Sequence, residues 1–193
     1  SIYCRERTGC SLKLEDRTIP NWCNNSITIQ GPVELIKSIW AAAQTENDDN
    51  HGLLNALYPE PEHEGDEWYS WRVENWGTKW DVSSEGLEFE ELPDGCAVIH
   101  GWFDSAWSPP IDAFQAYAEA NEDVYLEIKY FEPGMSFVGV WDSEGGDAYW
   151  EDVGSLLETT AEEDDVLFEL LEHFNVYDWY DFDEDDKDDA AED

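Results

Sequence analysis

The stretch CAVIHGWFDSAWSPPIDAFQAYAEANEDVYLEIKYFEPGMSFVGVW, residues 96–141, decides the fold. It opens on Cys96–Trp102, which has the look of a buried strand. Ser108-Pro109-Pro110 then initiates a helix, because proline is tolerated where first-turn amides have no intrahelical partner. Ala113, Phe114, Tyr117 and Ala118 supply its apolar side. Val124–Tyr130 alternates apolar with polar residues, Glu132-Pro133-Gly134 turns the chain, and Met135–Trp141 returns as a hairpin partner. The unit is strand, helix, hairpin.

Upstream, Ser26–Gln30 alternates like a strand, and Gly31-Pro32 opens a helix near 32–43 through Val33, Leu35, Ile36, Ile39 and Trp40. TENDDNHG (45–52) breaks it. Leu53–Tyr58 and PEPEHEGDE (59–67) form an irregular acidic insertion with room for one helical turn. Lys79–Ser83 and Leu87–Glu91 are expected as strands flanking a turn at Gly86, and Ala148–Trp150 as an edge strand. The order β-α-β-β-α-β with an added hairpin strand is the split βαβ arrangement: an α+β fold, an antiparallel sheet with two helices on one face. Residues 21–150 are expected to form this domain and 151–182 an acidic helical segment, with 183–193 a mobile acidic tail. Residues 1–20, with Arg5, Arg7, Lys13 and Arg17, are an extension that either packs back on the acidic body or forms a loose arm.

Charge is the compositional outlier. The chain has 48 Asp+Glu against 9 Lys+Arg, a formal net of -39, yet 41% hydrophobic and 15% aromatic residues supply a core. A net charge of about 2–8 suffices for solubility in a small domain. Duplex DNA carries one charge per roughly 1.7 Å of axis, so the total matches roughly 20 base pairs. No segment reaches the roughly 20 apolar residues of a membrane helix, and the first residues lack a charged-then-apolar leader pattern. A cytoplasmic address and no membrane contact are expected. Cys4, Cys10, Cys23 and Cys96 lack zinc-ligand spacing and are expected as ordinary thiols rather than metal ligands or disulfides.

Few residues point to catalysis. Trp76 and Trp80 have two readings: a ligand clamp with Lys79, Asp81 and Trp107, or core residues beside a turn at Gly77. The second is preferred. His51, His63, His100 and His173 have no assignable nucleophile, and Glu144-Gly145-Gly146 lacks the lysine of a phosphate loop. A calcium loop started at Asp181 puts Asp186 where glycine is needed, although Glu192 falls at the twelfth position. No enzyme activity and no cofactor are expected.

The C-terminal segment carries the most specific charge pattern. Ser155 with Glu158, and Thr160 with Glu163, fit capping boxes. Val166, Leu167, Leu170, Leu171 and Phe174 share one helical face. Glu158, Glu162, Asp165, Glu169 and Glu172 form a line opposite, roughly 21 Å long on a continuous helix. From Glu151 to Asp193 there are 19 acids and one base, Lys187, whereas residues 20–45 hold a single acid, Glu34. Like charges at this spacing destabilise by about 0.2–0.5 kcal/mol each, and a merely soluble face would mix in lysine. The line, continued by Asp178, Asp181 and Asp183, is expected to be a partner-binding surface. Tyr177, Trp179, Tyr180 and Phe182 are too apolar for a free tail and are expected to dock.

PNWCNN (20–25), WYSWRVENWGTKWD (68–81), FDSAWSPP (103–110) and YFEPGMSFVG (130–139) together resemble the YubB-like proteins of bacteriophages and plasmids. The resemblance spans residues 20–141 and implies a ferredoxin-like fold and a mobile-element origin, without a reaction; no family pattern is identified beyond Trp150. Charge and resemblance together lead to a DNA mimic, an inhibitor of a basic host DNA-binding or defence protein (anti-restriction or anti-CRISPR in type) that does not itself bind nucleic acid. The alternatives are halophile-type acidity and a small-molecule enzyme or binder using the tryptophan-rich middle.

Overall fold

A computed structural model of the chain describes residues 21–45, 52–159 and 164–180. The elements are β1 (Trp22–Pro32), α1 (Val33–Ala43), α2 (Leu53–Leu57), α3 (Glu67–Trp76), β2 (Leu87–Glu91), β3 (Cys96–Ala106), α4 (Ile111–Ala120), β4 (Tyr125–Glu132), β5 (Phe137–Asp142), β6 (Asp147–Glu151), α5 (Val153–Thr159), α6 (Asp165–His173) and α7 (Tyr177–Tyr180). They build one six-stranded sheet in the order β2-β3-β1-β4-β5-β6. Every pairing is antiparallel. The first four positions, with α1 and α4 as crossovers, are the ferredoxin-like arrangement; β5 and β6 extend it, and β2 and β6 are its edges.

The period of two assigns the faces. Ile27, Ile29, Ile99, Leu126 and Ile128 point to one side, where they meet Ile36 and Ile39 of α1, Phe114 of α4, Leu53 and Leu54 of α2, and Trp76. Phe131 and Val138 point to the other, against Leu167, Leu170, Leu171 and Phe174. Each such side chain stabilises the fold by about 1.5–3 kcal/mol through burial. The second face is therefore covered by α6 only towards β4, β5 and β6. Over β2, β3 and β1 the described residues leave it largely uncovered apart from His173 and Phe174 against Trp102, with Glu88, Glu90, Trp102, Asp104 and Gln30 exposed.

Two expectations are corrected, and one helix appears that none of them covered. Lys79–Ser83 is a loop rather than a strand: the Asp81 carboxylate binds the amides of Gly52 (2.8 Å), Leu54 (2.8 Å), Asn55 (3.0 Å) and Val82 (2.7 Å), which ties the segment to the start of α2. The acidic insertion leads into a ten-residue helix, α3, which ends at Gly77 in the left-handed region that glycine adopts without strain. Arg72 of α3 grips Glu60 with two bonds (2.9 and 2.6 Å) and lies over the rings of Trp68 and Trp76. Finally, no continuous helix joins α5 to α6. Asp164 is extended and caps α6, accepting from Val166 N and Leu167 N.

Cys23 pairs with Ser105 and Cys96 with Pro32, at opposite ends of the β1–β3 ladder, so these two thiols cannot bridge. Burial, aided by Glu132, pushes the Cys23 thiol far up and keeps it protonated. Cys4 and Cys10 lie outside the described residues.

Candidate functional site: an anionic sheet face and a tryptophan groove

Two features occupy the second face. The first is acidic. Asp165, Glu169 and Glu172 are exposed along the outer side of α6, while Leu167, Leu170 and Leu171 are buried beneath. Val166, expected in the core, is 45% exposed. Of the other expected partner residues, Glu158 falls within α5, a helix separate from α6. Asp178 is exposed on α7 and accepts from Asn175. Glu162, Asp181 and Asp183 lie outside the described residues. Of the terminal aromatics expected to dock, Tyr180 bonds Ser136 Oγ through its hydroxyl at 2.7 Å, Trp179 remains 52% exposed, and Phe182 lies outside the described residues.

The strands add acids that the helical pattern does not indicate. Register puts Glu88, His100, Thr28, Glu127 and Asp142 in one row across the sheet, with Glu90 in the next row on one side and Asp104 two rows away on the other, beyond the row of Trp102 and Lys129. The field is felt locally: burial, Glu127, Asp142 and Glu144 push the Tyr125 hydroxyl up to about 12. The basic side chains of the described residues are all engaged. Lys37 pairs with Glu91 and Arg72 with Glu60, Lys129 lies 3.9 Å from Glu127, and Lys79 sits over the Trp80 ring.

The second feature is a groove of about 400 Å³ at the β3 edge, lined by Trp22, Trp80, Trp102, Asp104 and Glu85 among others. The β2 ladder ends at the Leu87–Gly101 pair, and just beyond it Gly86 passes so close to the Trp102 carbonyl that a Cβ would not fit. Trp22 and Trp102 are each 45% exposed. One face of Trp102 is held by His173, at 4.8 Å and nearly parallel, with Phe174 against its edge. Burial lowers the His173 value, with Lys129 acting in the same direction.

The clamp reading of the middle segment is corrected in its membership. Trp76 is fully buried, its Nε1–H donating to Tyr58 O at 2.9 Å, and Trp107 does not line the groove. Asp81 touches the groove, but its carboxylate is spent on four backbone amides. Burial pushes that carboxyl up while the amides draw it back. Trp22 and Trp102 escape detection by spacing alone; the usable signal is that residues 102 and 104 share a strand face. Trp107 takes a left-handed backbone (φ 73) where β3 leaves the sheet, its amide bonded to Asn21 O. Among the described residues no group of three or more His, Cys, Asp or Glu is placed to hold a metal ion. No helix among them is long and apolar enough to cross a membrane.

No curated protein matches the chain. Among solved structures, the protein api92 from Yersinia pseudotuberculosis is similar at 10% identity, covering 68% of this chain and 98% of its own, with a TM-score of 0.38. The family model described as the ferredoxin-like domain in Api92-like protein matches residues 75–175. This range reaches past Trp150 and takes in α5 and α6. The chain belongs to the Api92-like family through this ferredoxin-like domain.

Proposed function

We propose that the protein is a DNA mimic of phage or plasmid origin, related to the YubB-like proteins, that occupies the DNA site of a basic host protein. The target class is a restriction, CRISPR, recombination, repair or nucleoid factor, met in the host cytoplasm. The protein acts by occupancy rather than by catalysis and needs no cofactor.

One observation supports this reading: on the second face exposed carboxylates stand on both helix and strands, while the nearby cations are already paired. Asp165, Glu169 and Glu172 span about 10.5 Å of α6, roughly one charge per 5 Å, against one phosphate per about 3.4 Å along a DNA strand. The helix alone is sparser than DNA. The row from Glu88 to Asp142 supplies a second line about 5 Å per strand away, which broadens the field. Such a field speeds encounter with a basic cleft, and fixed carboxylates then replace phosphates against Lys and Arg. Acidity serving only salt adaptation would instead leave the protein unfolded at low salt.

The test is capture of partners from bacterial lysate on immobilised protein, followed by competition with duplex DNA. The captured partner should bind either the protein or duplex DNA, never both, and the protein alone should not shift DNA. A partner that remains bound while saturated with DNA would rule the reading out.

A further inference from the structure

The tryptophan groove calls for a different ligand from the wider acidic face. On β3, Trp102 and Asp104 project to the same side; on β1, Trp22 and Asn24 project beside them, with Asn24 opposite Asp104 and Trp22 opposite Ala106. A carboxylate thus stands between two half-exposed indoles, about 7 Å along the strand from the Trp102 position. Asn24 Nδ2 donates to Asp104 Oδ1 at 3.1 Å, which fixes the carboxylate. Trp102 is pinned by His173 on one side. Trp80 closes the groove 6.0 Å from Trp22 and already carries Lys79 Nζ at 4.7 Å, so this ring is one that takes a cation.

We propose that this groove binds an arginine side chain presented by an extended segment of a partner polypeptide, its guanidinium stacked on Trp102 and Trp22 and paired with Asp104. The planar, weakly hydrated guanidinium suits flat indole walls and a fixed carboxylate better than a round ammonium does. A volume of about 400 Å³ is near the small end of ligand sites and accommodates one long side chain with adjoining backbone. Backbone recognition is available as well. The Trp102 amide donates to Gly86 O and the Ala106 carbonyl accepts from Thr78 Oγ1. Asp104, two residues from each, directs its own amide and carbonyl to the same side, where a strand-like peptide can pair with them. The site does not depend on DNA mimicry; it stands or falls on arginine binding.

The test uses the full chain and two blocked pentapeptides, Gly-Gly-Arg-Gly-Gly and its citrulline counterpart, which keeps the shape and removes the charge. Indole N–H resonances are assigned by single Trp→Phe variants. The arginine peptide should shift Trp22, Trp80 and Trp102 saturably, and should keep doing so at about 1 M salt, where screening shortens to about 3 Å. Citrulline, or Asp104→Asn with the arginine peptide, should weaken binding about tenfold, as expected for loss of a charge-assisted pair. Glu119→Gln on α4 should change nothing. Trp102→Ala should abolish the shifts; if it does not fold, Asp104→Asn, which is exposed and retains its Asn24 partner, decides. Equal binding of the citrulline peptide, an unaffected Asp104→Asn protein, or shifts spread over α6 would overturn the proposal. So would binding that appears only after Arg5, Arg7 and Arg17 are replaced by Gln, since the chain's own basic segment would then be the occupant.

Discussion

Replacing Asp81 with asparagine should lower stability sharply without altering surface charge beyond one unit. One carboxylate oxygen accepts from Leu54 N and Val82 N, the other from Gly52 N and Asn55 N. An amide puts an NH2 where one oxygen stood, and either flip leaves two backbone amides facing a donor. Each unsatisfied buried donor costs about 1–3 kcal/mol, or about 2–6 in total. Relief of burying a charge offsets part of this, leaving about 2–4 kcal/mol as a working figure. For a chain of this size each kcal/mol moves Tm by about 2–4 °C, so Tm should fall by about 4–16 °C. Calorimetry measures the shift, and hydrogen exchange should show Gly52, Leu54, Asn55 and Val82 losing protection together. A Tm within about 1 °C of the parent, with these amides still protected, would refute the reasoning. The pH dependence has a definite sign. Because burial raises the folded-state carboxyl above the ordinary aspartate range, the folded state binds the proton more readily there. This group's contribution to stability therefore increases as pH falls from neutrality through the raised carboxyl range, and Asp81→Asn should lose that component.

Three further outcomes are expected. Glu169→Gln with Glu172→Gln should weaken partner binding while Tm holds or rises slightly, because two like charges near the helix C-terminus are removed; thermal melting and a binding titration read the two effects separately. Asp164→Ala should cost about 1 kcal/mol through loss of the α6 cap, and exchange should locate the loosening in α6 rather than in the β1–β3 ladder. Deleting Asp183–Asp193 should slow association more than it speeds dissociation, as stopped-flow at low salt would resolve, and the difference should vanish at high salt.

The sheet is legible because its strands alternate: Ser26–Gln30 and Val124–Tyr130 keep period two, and Gly31-Pro32 and Pro109-Pro110 punctuate the helices that cross it. α3 is not, because only Trp76 of its ten residues is buried, and its anchor is Arg72 reaching Glu60 across the insertion. The α6 acids are legible as one side of a helix. Their separation from Glu158 is not, since the spacing alone continues one line from Glu158 to Glu172 and only the extended backbone at Asp164 interrupts it. The groove is the least legible part. Alternation places Trp102 and Asp104 together, but which half of the second face stays uncovered depends on where α6 lands, and that is set by long-range contacts such as Phe131 with Phe174.

The two edge strands have a consequence for how copies of the chain meet. β2 presents Glu88, Glu90 and Glu91 to solvent, and β6 presents Asp147, Tyr149 and Glu151. Two molecules pairing antiparallel through β6, centred on Tyr149, would set Asp147 of each directly opposite Glu151 of the other. Both edges therefore repel their own kind, as charged edges do when they guard against sheet extension. The excess acid that faces outward to strangers thus also disfavours strand-to-strand pairing between siblings.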